Sequence, residues 1–166
     1  MPAKTVIDVD GTDAVSKVLI TLLNTFPGLT SGMSVQFATL EDKSGIGFFP
    51  TSGAALLKDT ESITGHVSQV CLYTFNVIYR AAPKTEAQRM RIKEFLDMLG
   101  KWLEKQEIKI GTSVYQIQDY PPLTSGNRKI KSITRSSAAY LYAANQDKVE
   151  DWLITIQLKY DNEFDK

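Results

Sequence analysis

The apolar positions of the chain fall into a few clear rhythms. Val15, Val18, Leu19, Leu22, Leu23 and Phe26 recur at three-four spacing, which predicts an amphipathic helix. Thr12 or Asp13 suits its N-cap, because a short side-chain oxygen can accept from the free N–H groups of the first turn. Pro27-Gly28 ends it. A second stripe runs through Ile92, Phe95, Leu96, Leu99, Trp102 and Leu103. Thr85 with Gln88 three residues on makes a capping box that would open this helix, and it should run to about Gln106. Gly100 lies inside it, at a cost of about 1 kcal/mol relative to Ala.

The remaining segments follow the two-residue period of strands. Ser34 to Leu40 reads as a strand with Val35 and Phe37 on one face. Gln69 to Ala81, QVCLYTFNVIYRA, is rich in β-branched and aromatic residues and lacks Gly and Pro. It should be a long central strand with both faces at least partly covered. Val114 to Gln118, Arg128 to Arg135 and Ala138 to Ala144 predict further strands. Trp152, Ile154, Ile156, Leu158 and Tyr160 alternate in the last one. Between them, Glu41 to Gly65 holds Gly45, Gly47, Pro50, Gly53 and Gly65 among short apolar pieces. It reads as a hairpin or a long arm with two weak strands. Strands joined by short turns, with two helices interspersed, predict one α+β domain over residues 1–166 with a mostly antiparallel sheet.

Composition narrows the function classes. The chain has 166 residues, enough for one domain with its own core. It carries 19 basic and 19 acidic side chains, a balance that argues against a dedicated nucleic-acid or membrane binder. Cys71 is the sole cysteine and His66 the sole histidine. That rules out an intramolecular disulfide and a Cys-based zinc site, and any His-dependent site would have to use His66. No apolar run approaches the ~20 residues that span a bilayer. With no charged-then-apolar start either, the chain is expected in the cytosol where it is made.

Candidate chemistry is sparse. Asp8-Val9-Asp10-Gly11-Thr12 matches the D-x-D-G-T string of haloacid-dehalogenase phosphatases, in which the first Asp is the nucleophile and the second the general acid and base. That chemistry needs a buried parallel strand before Asp8, alternating strands and helices, and a second acidic pair for Mg²⁺. Only Val6 and Ile7 precede Asp8 as apolar residues. The acidic pairs Glu41-Asp42 and Glu150-Asp151 come too early or lack their strand. A turn and helix cap need the same residue types. Cys71 in mid-strand reads as a small buried hydrophobe and His66, beside Gly65 in a loop, as a surface residue. Ser44-Gly45-Ile46-Gly47 and Ser52-Gly53 neither follow a strand nor open a helix, so they are not phosphate loops.

Charge is unevenly placed. Tyr120 to Gln146 holds Arg128, Lys129, Lys131 and Arg135 and no acid, whereas Asp147 to Lys166 holds six acids against three lysines. Such a run is either a solvated strand face or an electrostatic contact with a phosphate backbone or with a neighbouring copy.

One resemblance spans Asp13 to Phe164. The early helix AVSKVLITLLNTFP leads to the strand VCLYTFNVIYRA and through Pro83 into the helix TEAQRMRIKEFLDMLGKWLEK. Then follow VYQIQDYPPLTSGNRKIKSITRSSAAYLY, the turn NQDKVEDW and the strand LITIQLKYDNEF. In element order this is similar to phage tail terminators, including the minor-capsid or tail-completion group from phages of Gram-positive bacteria. The resemblance implies a structural protein of the virion tail or neck, made in the bacterial host cytoplasm, with no enzymatic activity, cofactor or metal. It implies a hexameric ring that caps the tail tube, ends tube growth and docks the head-tail connector or stopper, with DNA passing through the lumen without sequence-specific binding. On that reading the arm, about 41–65, meets the tube or a neighbour through exposed Phe48 and Phe49. Arg128, Lys129, Lys131 and Arg135 would meet a neighbour's acids or line the DNA path. Another neck component fits the same assembly reading. A small Mg-dependent phosphatase and a small ligand-binding domain are the readings from other classes.

Overall fold

A computed structural model describes residues 12–51, 55–123 and 127–165. Two helices and nine strands follow in the order α1 (Thr12–Leu23), β1 (Val35–Phe37), β2 (Gly45–Pro50), β3 (Ala55–Glu61), β4 (His66–Ala81), α2 (Glu86–Leu103), β5 (Ile108–Ile110), β6 (Ser113–Tyr115), β7 (Asn127–Arg135), β8 (Tyr140–Ala144) and β9 (Glu150–Asp165). The fold is α+β, with a mostly antiparallel sheet. Residues 1–11, with Asp8 and Asp10, lie outside the described residues. The only parallel pairing among the described strands is β1 with β2, so they do not form the alternating parallel frame that a dehalogenase-type site requires.

β4 and β9 form the spine. Their antiparallel ladder runs unbroken from His66 opposite Asp165 to Ala81 opposite Glu150. At ~3.4 Å per residue, each strand of 16 residues is about 54 Å long. Two short strands lie end to end on each flank. β2 pairs the upper half of β4 and β3 its lower half. β7 pairs the lower half of β9 and β8 its upper half. β1 adds an outer lane beside β2. The segment read as a hairpin or a long arm with two weak strands holds two strands, β2 and β3, which both lie along β4, and the hairpin turn is Ser62 to Gly65, between β3 and β4.

Period two assigns the faces. Cys71, Tyr73, Phe75 and Val77 of β4, with Ile154, Ile156, Leu158 and Tyr160 of β9, are buried on one face. Both helices pack there. Val15, Val18, Leu19, Leu22, Leu23 and Phe26 of the first stripe are all buried, and the Ser16 hydroxyl meets the Tyr73 hydroxyl at 2.7 Å. Asn24 then ties the end of α1 to β1: its Oδ1 accepts from the Val35 N–H (2.8 Å) and its Nδ2 donates to the Val35 carbonyl (3.1 Å). Phe95 of α2 meets Phe26 and Tyr79 edge-on, at centroid distances of 5.3 and 5.2 Å. Gly100 faces the sheet. A Cβ there would stand 2.3 Å from Cδ of Arg135 and 3.1 Å from Cδ1 of Ile154, so the glycine sets how closely α2 approaches β7 and β9. The propensity cost noted from sequence is offset by packing. The opposite face carries Leu72, Thr74, Asn76 and Ile78, half-buried, with no helix over it among the described residues.

The capping box of α2 forms in altered detail. The Gln88 N–H donates to Thr85 Oγ1 at 3.2 Å, but Gln88 Oε1 accepts from the Lys84 N–H (2.6 Å), not from that of Thr85. α2 stops at Leu103, short of Gln106, where Lys105 adopts a φ of 64°. His66 opens β4 and is not in a loop. Ile108 to Tyr115 is a tiny hairpin in place of one strand at 114–118. β1 is shorter than expected, and only Val35 of its two apolar residues is buried.

Phe48 is a second correction. It was expected to be exposed, yet it is fully buried, with its ring 4.8 Å from that of Phe75 and 6.3 Å from that of Tyr73. Its register partner Val77 lies on the helix-bearing face, so the strand period points Phe48 inward. Truncating a core Phe leaves a cavity as well as losing burial. Phe48→Ala should therefore lower the unfolding free energy by about 3–5 kcal/mol, read as a fall in the urea midpoint at constant slope.

Candidate functional site

The four basic residues singled out from the sequence all lie on β7, but they do not form one patch. The register alternates their faces, and a bulge between Ile130 and Ser132 displaces Lys131 from the ladder. Arg128 is on the helix-bearing face, where its Nε donates to Asn162 Oδ1 at 3.1 Å; buried Asn162 in turn donates to Gln69 Oε1 at 3.1 Å. Lys129 sits opposite Asp161 on the other face. Arg135 reaches into the core side: its Nε donates to Glu104 Oε1 at 2.8 Å, and its backbone N–H to Oε2 of the same carboxylate at 3.3 Å. Part of the charge asymmetry seen along the sequence is thus met within the fold, since Arg135 pairs with Glu104 and Lys129 lies opposite Asp161 of β9. Lys129 and Lys131 are the exposed members.

The paired acids behave alike. Glu150 and Asp151 point to opposite faces of β9, so they cannot act as one site. Glu150, only 6% exposed, accepts from Arg89 Nε at 3.0 Å and from Trp152 Nε1 at 3.2 Å. Asp151 takes a bidentate pair from Arg80, at 2.7 and 2.9 Å, and Arg80 also donates to the Glu41 carbonyl at 3.1 Å. The hydrogen bond that Arg80 donates to Asp151 dominates the upward shift of the Arg80 pKa, with burial opposing it and the charges of Asp151 and Asp42 adding to it. Glu41 and Asp42 themselves are exposed in the loop before β2.

Cys71 and His66 are kept apart by β4 itself. Five residues along one strand is about 17 Å, and odd separation sends the two side chains to opposite faces. Cys71 is buried, and His66 Nε2 lies 3.9 Å from Glu163 Oε2. Among the described residues no group of three or more His, Cys, Asp and Glu side chains could hold a metal ion, and no helix is long and apolar enough to cross a membrane.

Two kinds of surface remain. At the upper end of the sheet a cleft of about 300 Å³ opens between β1, the loop 39–44 and the end of β4; Met33, Leu40, Ile46 and Tyr79 are among its lining residues. Large apolar side chains stand exposed elsewhere: Tyr140, Leu141 and Tyr142 on the edge strand β8, Phe37 at the end of β1, and Ile63 at the tip of the β3–β4 hairpin. Phe49, by contrast, is half-buried. Its ring lies over Gly47, whose added Cβ would come within 2.4 Å of it. The sequence marked β8 only as a strand. The usable signal was the absence of any charge from Ser136 to Ala144.

No protein-family model matches the chain, and no curated protein matches it.

The internal role of Arg135 makes a stability contrast. Arg135→Ala leaves the partly buried Glu104 carboxylate without that partner and should cost about 1–3 kcal/mol in a denaturant titration, whereas Lys131→Ala should stay within about 0.5 kcal/mol of the parent. A second expectation concerns alkaline pH. Burial raises the Tyr120 pKa; a bond from the Ile133 backbone lowers it and the Glu104 charge raises it, with burial the largest effect. The Tyr120 hydroxyl also donates to the Leu103 carbonyl at 2.6 Å. The folded state therefore holds Tyr120 protonated where the unfolded chain ionises. Its contribution is complete below pH 10.0, the ordinary tyrosine value, and is lost as pH rises past it. Tyr120→Phe should flatten the alkaline fall in stability measured by urea unfolding between neutral and strongly alkaline pH.

Proposed function

We propose that this chain is a structural protein of a phage tail, a terminator that closes into a ring on the end of the tail tube and presents a docking surface for the head-tail connector. The observation that carries this reading is the distribution of uncovered apolar side chains. They lie at separate places on the fold: the β8 edge at one end of the sheet and Ile63 on the hairpin tip at the other. A ring of identical copies needs two different surfaces on each copy, and binding to a tube needs a further one. Exposed aliphatic and aromatic groups that bury on association are what dominate such contacts.

On this reading the anchor at the lower end is Ile63, in place of the buried Phe48. Lys129 and Lys131 remain available for a neighbour's acids or for DNA passing through the lumen. The tube protein and the connector are the other partners.

Negative-stain electron microscopy with native mass spectrometry on the full chain tests the proposal, alone and with purified tail tubes. Closed rings, or capping of tube ends, are expected. Long open tubes from the protein alone would make it a tube subunit. Failure to bind tubes, together with a Mg²⁺-dependent hydrolysis of p-nitrophenyl phosphate that Asp8→Asn abolishes, would overturn the reading in favour of a phosphatase.

A further inference from the structure

The two edges of the sheet end differently. Edge strands in soluble proteins are commonly blunted by charge, proline or a covering side chain. At β1 this is done by Asn24, which occupies both the N–H and the carbonyl of Val35, and by the Thr39 hydroxyl, which donates to the Phe37 carbonyl at 3.1 Å. β8 has no charge and no proline. Its ladder to β9 shifts register between Leu141 and Ala143, so Tyr142 stands in a bulge. A bulge re-aims the side chain it carries, and Tyr142 is 61% exposed, beside Tyr140 at 46%.

The cleft lies at the same end of the sheet. Its lining includes Tyr79 to Ala81 of β4, the residues level with the part of β9 that pairs β8. Four strand spacings, about 19 Å, separate the two edges. The cleft is at the small end of the range for ligand sites, a size that suits one or two inserted side chains. Met33, Leu40 and Ile46 give it an apolar lining, while Gln36, Glu41 and Ser44 offer hydrogen-bonding groups at the same place. An aromatic ring with one hydroxyl matches that mixture, because a buried tyrosine needs a partner for its O–H.

We infer that Tyr142 of one copy inserts into the β1–β4 cleft of the next, with Tyr140 beside it. Knob and cleft are different surfaces at opposite edges of one molecule, so the contact is heterologous and repeats from copy to copy. The closed edge of β1 explains why the neighbour is held by side chains and not by an added strand. The inference rests on the ring reading and names the surfaces that such a ring would join.

Cysteine cross-linking tests it on the full chain, and Cys71, the sole cysteine, is buried, which leaves a clean background. Ala143→Cys, which keeps Tyr142 and lies exposed beside it, is combined with Ser44→Cys, and separately with Gln36→Cys, and oxidised in concentrated solution. At least one pair should give a disulfide ladder of trimers and above on a non-reducing gel, and no single variant should give it. Dimers from Ala143→Cys alone would reveal a two-fold β8 contact and overturn the inference, as would no product from either pair. Tyr140→Asp with Tyr142→Asp should reduce assembly at least tenfold in native mass spectrometry while leaving the far-UV circular dichroism spectrum unchanged. Assembly unchanged by that double variant would also overturn it. Closed rings seen without any ladder sink this contact and leave the terminator reading standing. A ladder without closed rings and without tube binding keeps the contact and removes the terminator reading.

Discussion

The β4–β9 ladder is the constraint on which the rest of the molecule depends. Every other strand of the main sheet is attached to one of these two strands, directly or, for β1, through β2. Their alternate side chains supply the buried face on which both helices sit. Because the register holds over sixteen residues without a bulge, the two faces never exchange roles along the spine. Irregularities are displaced to the flanks, where β3, β7 and β8 each slip once.

The ionic contacts follow from the same geometry. Arg80 with Asp151 joins β4 to β9, Arg89 with Glu150 joins α2 to β9, and Arg135 with Glu104 joins β7 to the end of α2. Each pair bridges elements far apart in sequence, and each is at least partly shielded. Of the basic run, Lys129 lies opposite Asp161 of β9, whereas Arg135 is met by Glu104, and the acids that open β9 are met by Arg80 and Arg89. The large apolar side chains that the fold leaves exposed include Tyr140 to Tyr142 on β8, Phe37 at the end of β1 and Ile63 at the hairpin tip.

Much of the architecture was legible because it rests on periodicity. The six apolar residues of the first stripe are all buried, Thr85 caps the second helix, and β4 and β9 have the alternation their sequences announce. What was hidden depends on pairing partners that periodicity does not name. Phe48 reads as exposed in a Gly-rich stretch until Val77 is known to lie beside it. Gly45 to Pro50 looks like part of an arm because its glycines weaken a strand taken alone; against β4, Gly47 instead makes room for Phe49. Arg135 reads as a free surface charge until the close approach that Gly100 permits brings Glu104 within reach. Tyr140 to Tyr142 carried a signal, the missing charge, whose meaning appears only when β8 proves to be an edge. Asp8 and Asp10 lie outside the described residues, so their role rests on sequence alone.

The unbroken spine also sets a timetable for the chain's own synthesis. β4 emerges well before β9, its partner on the far side. Even the closest pair, Ala81 with Glu150, closes a loop of about 70 residues. Contacts of such wide separation are reached late, because the entropy of closing the loop is lost before any ladder bond is gained. Until β9 docks, β4 has one edge open along its whole length. The nascent molecule is then at its most prone to pair with another chain. How quickly the sixteen residues of β9 dock therefore sets how long that edge stays open to a neighbouring chain.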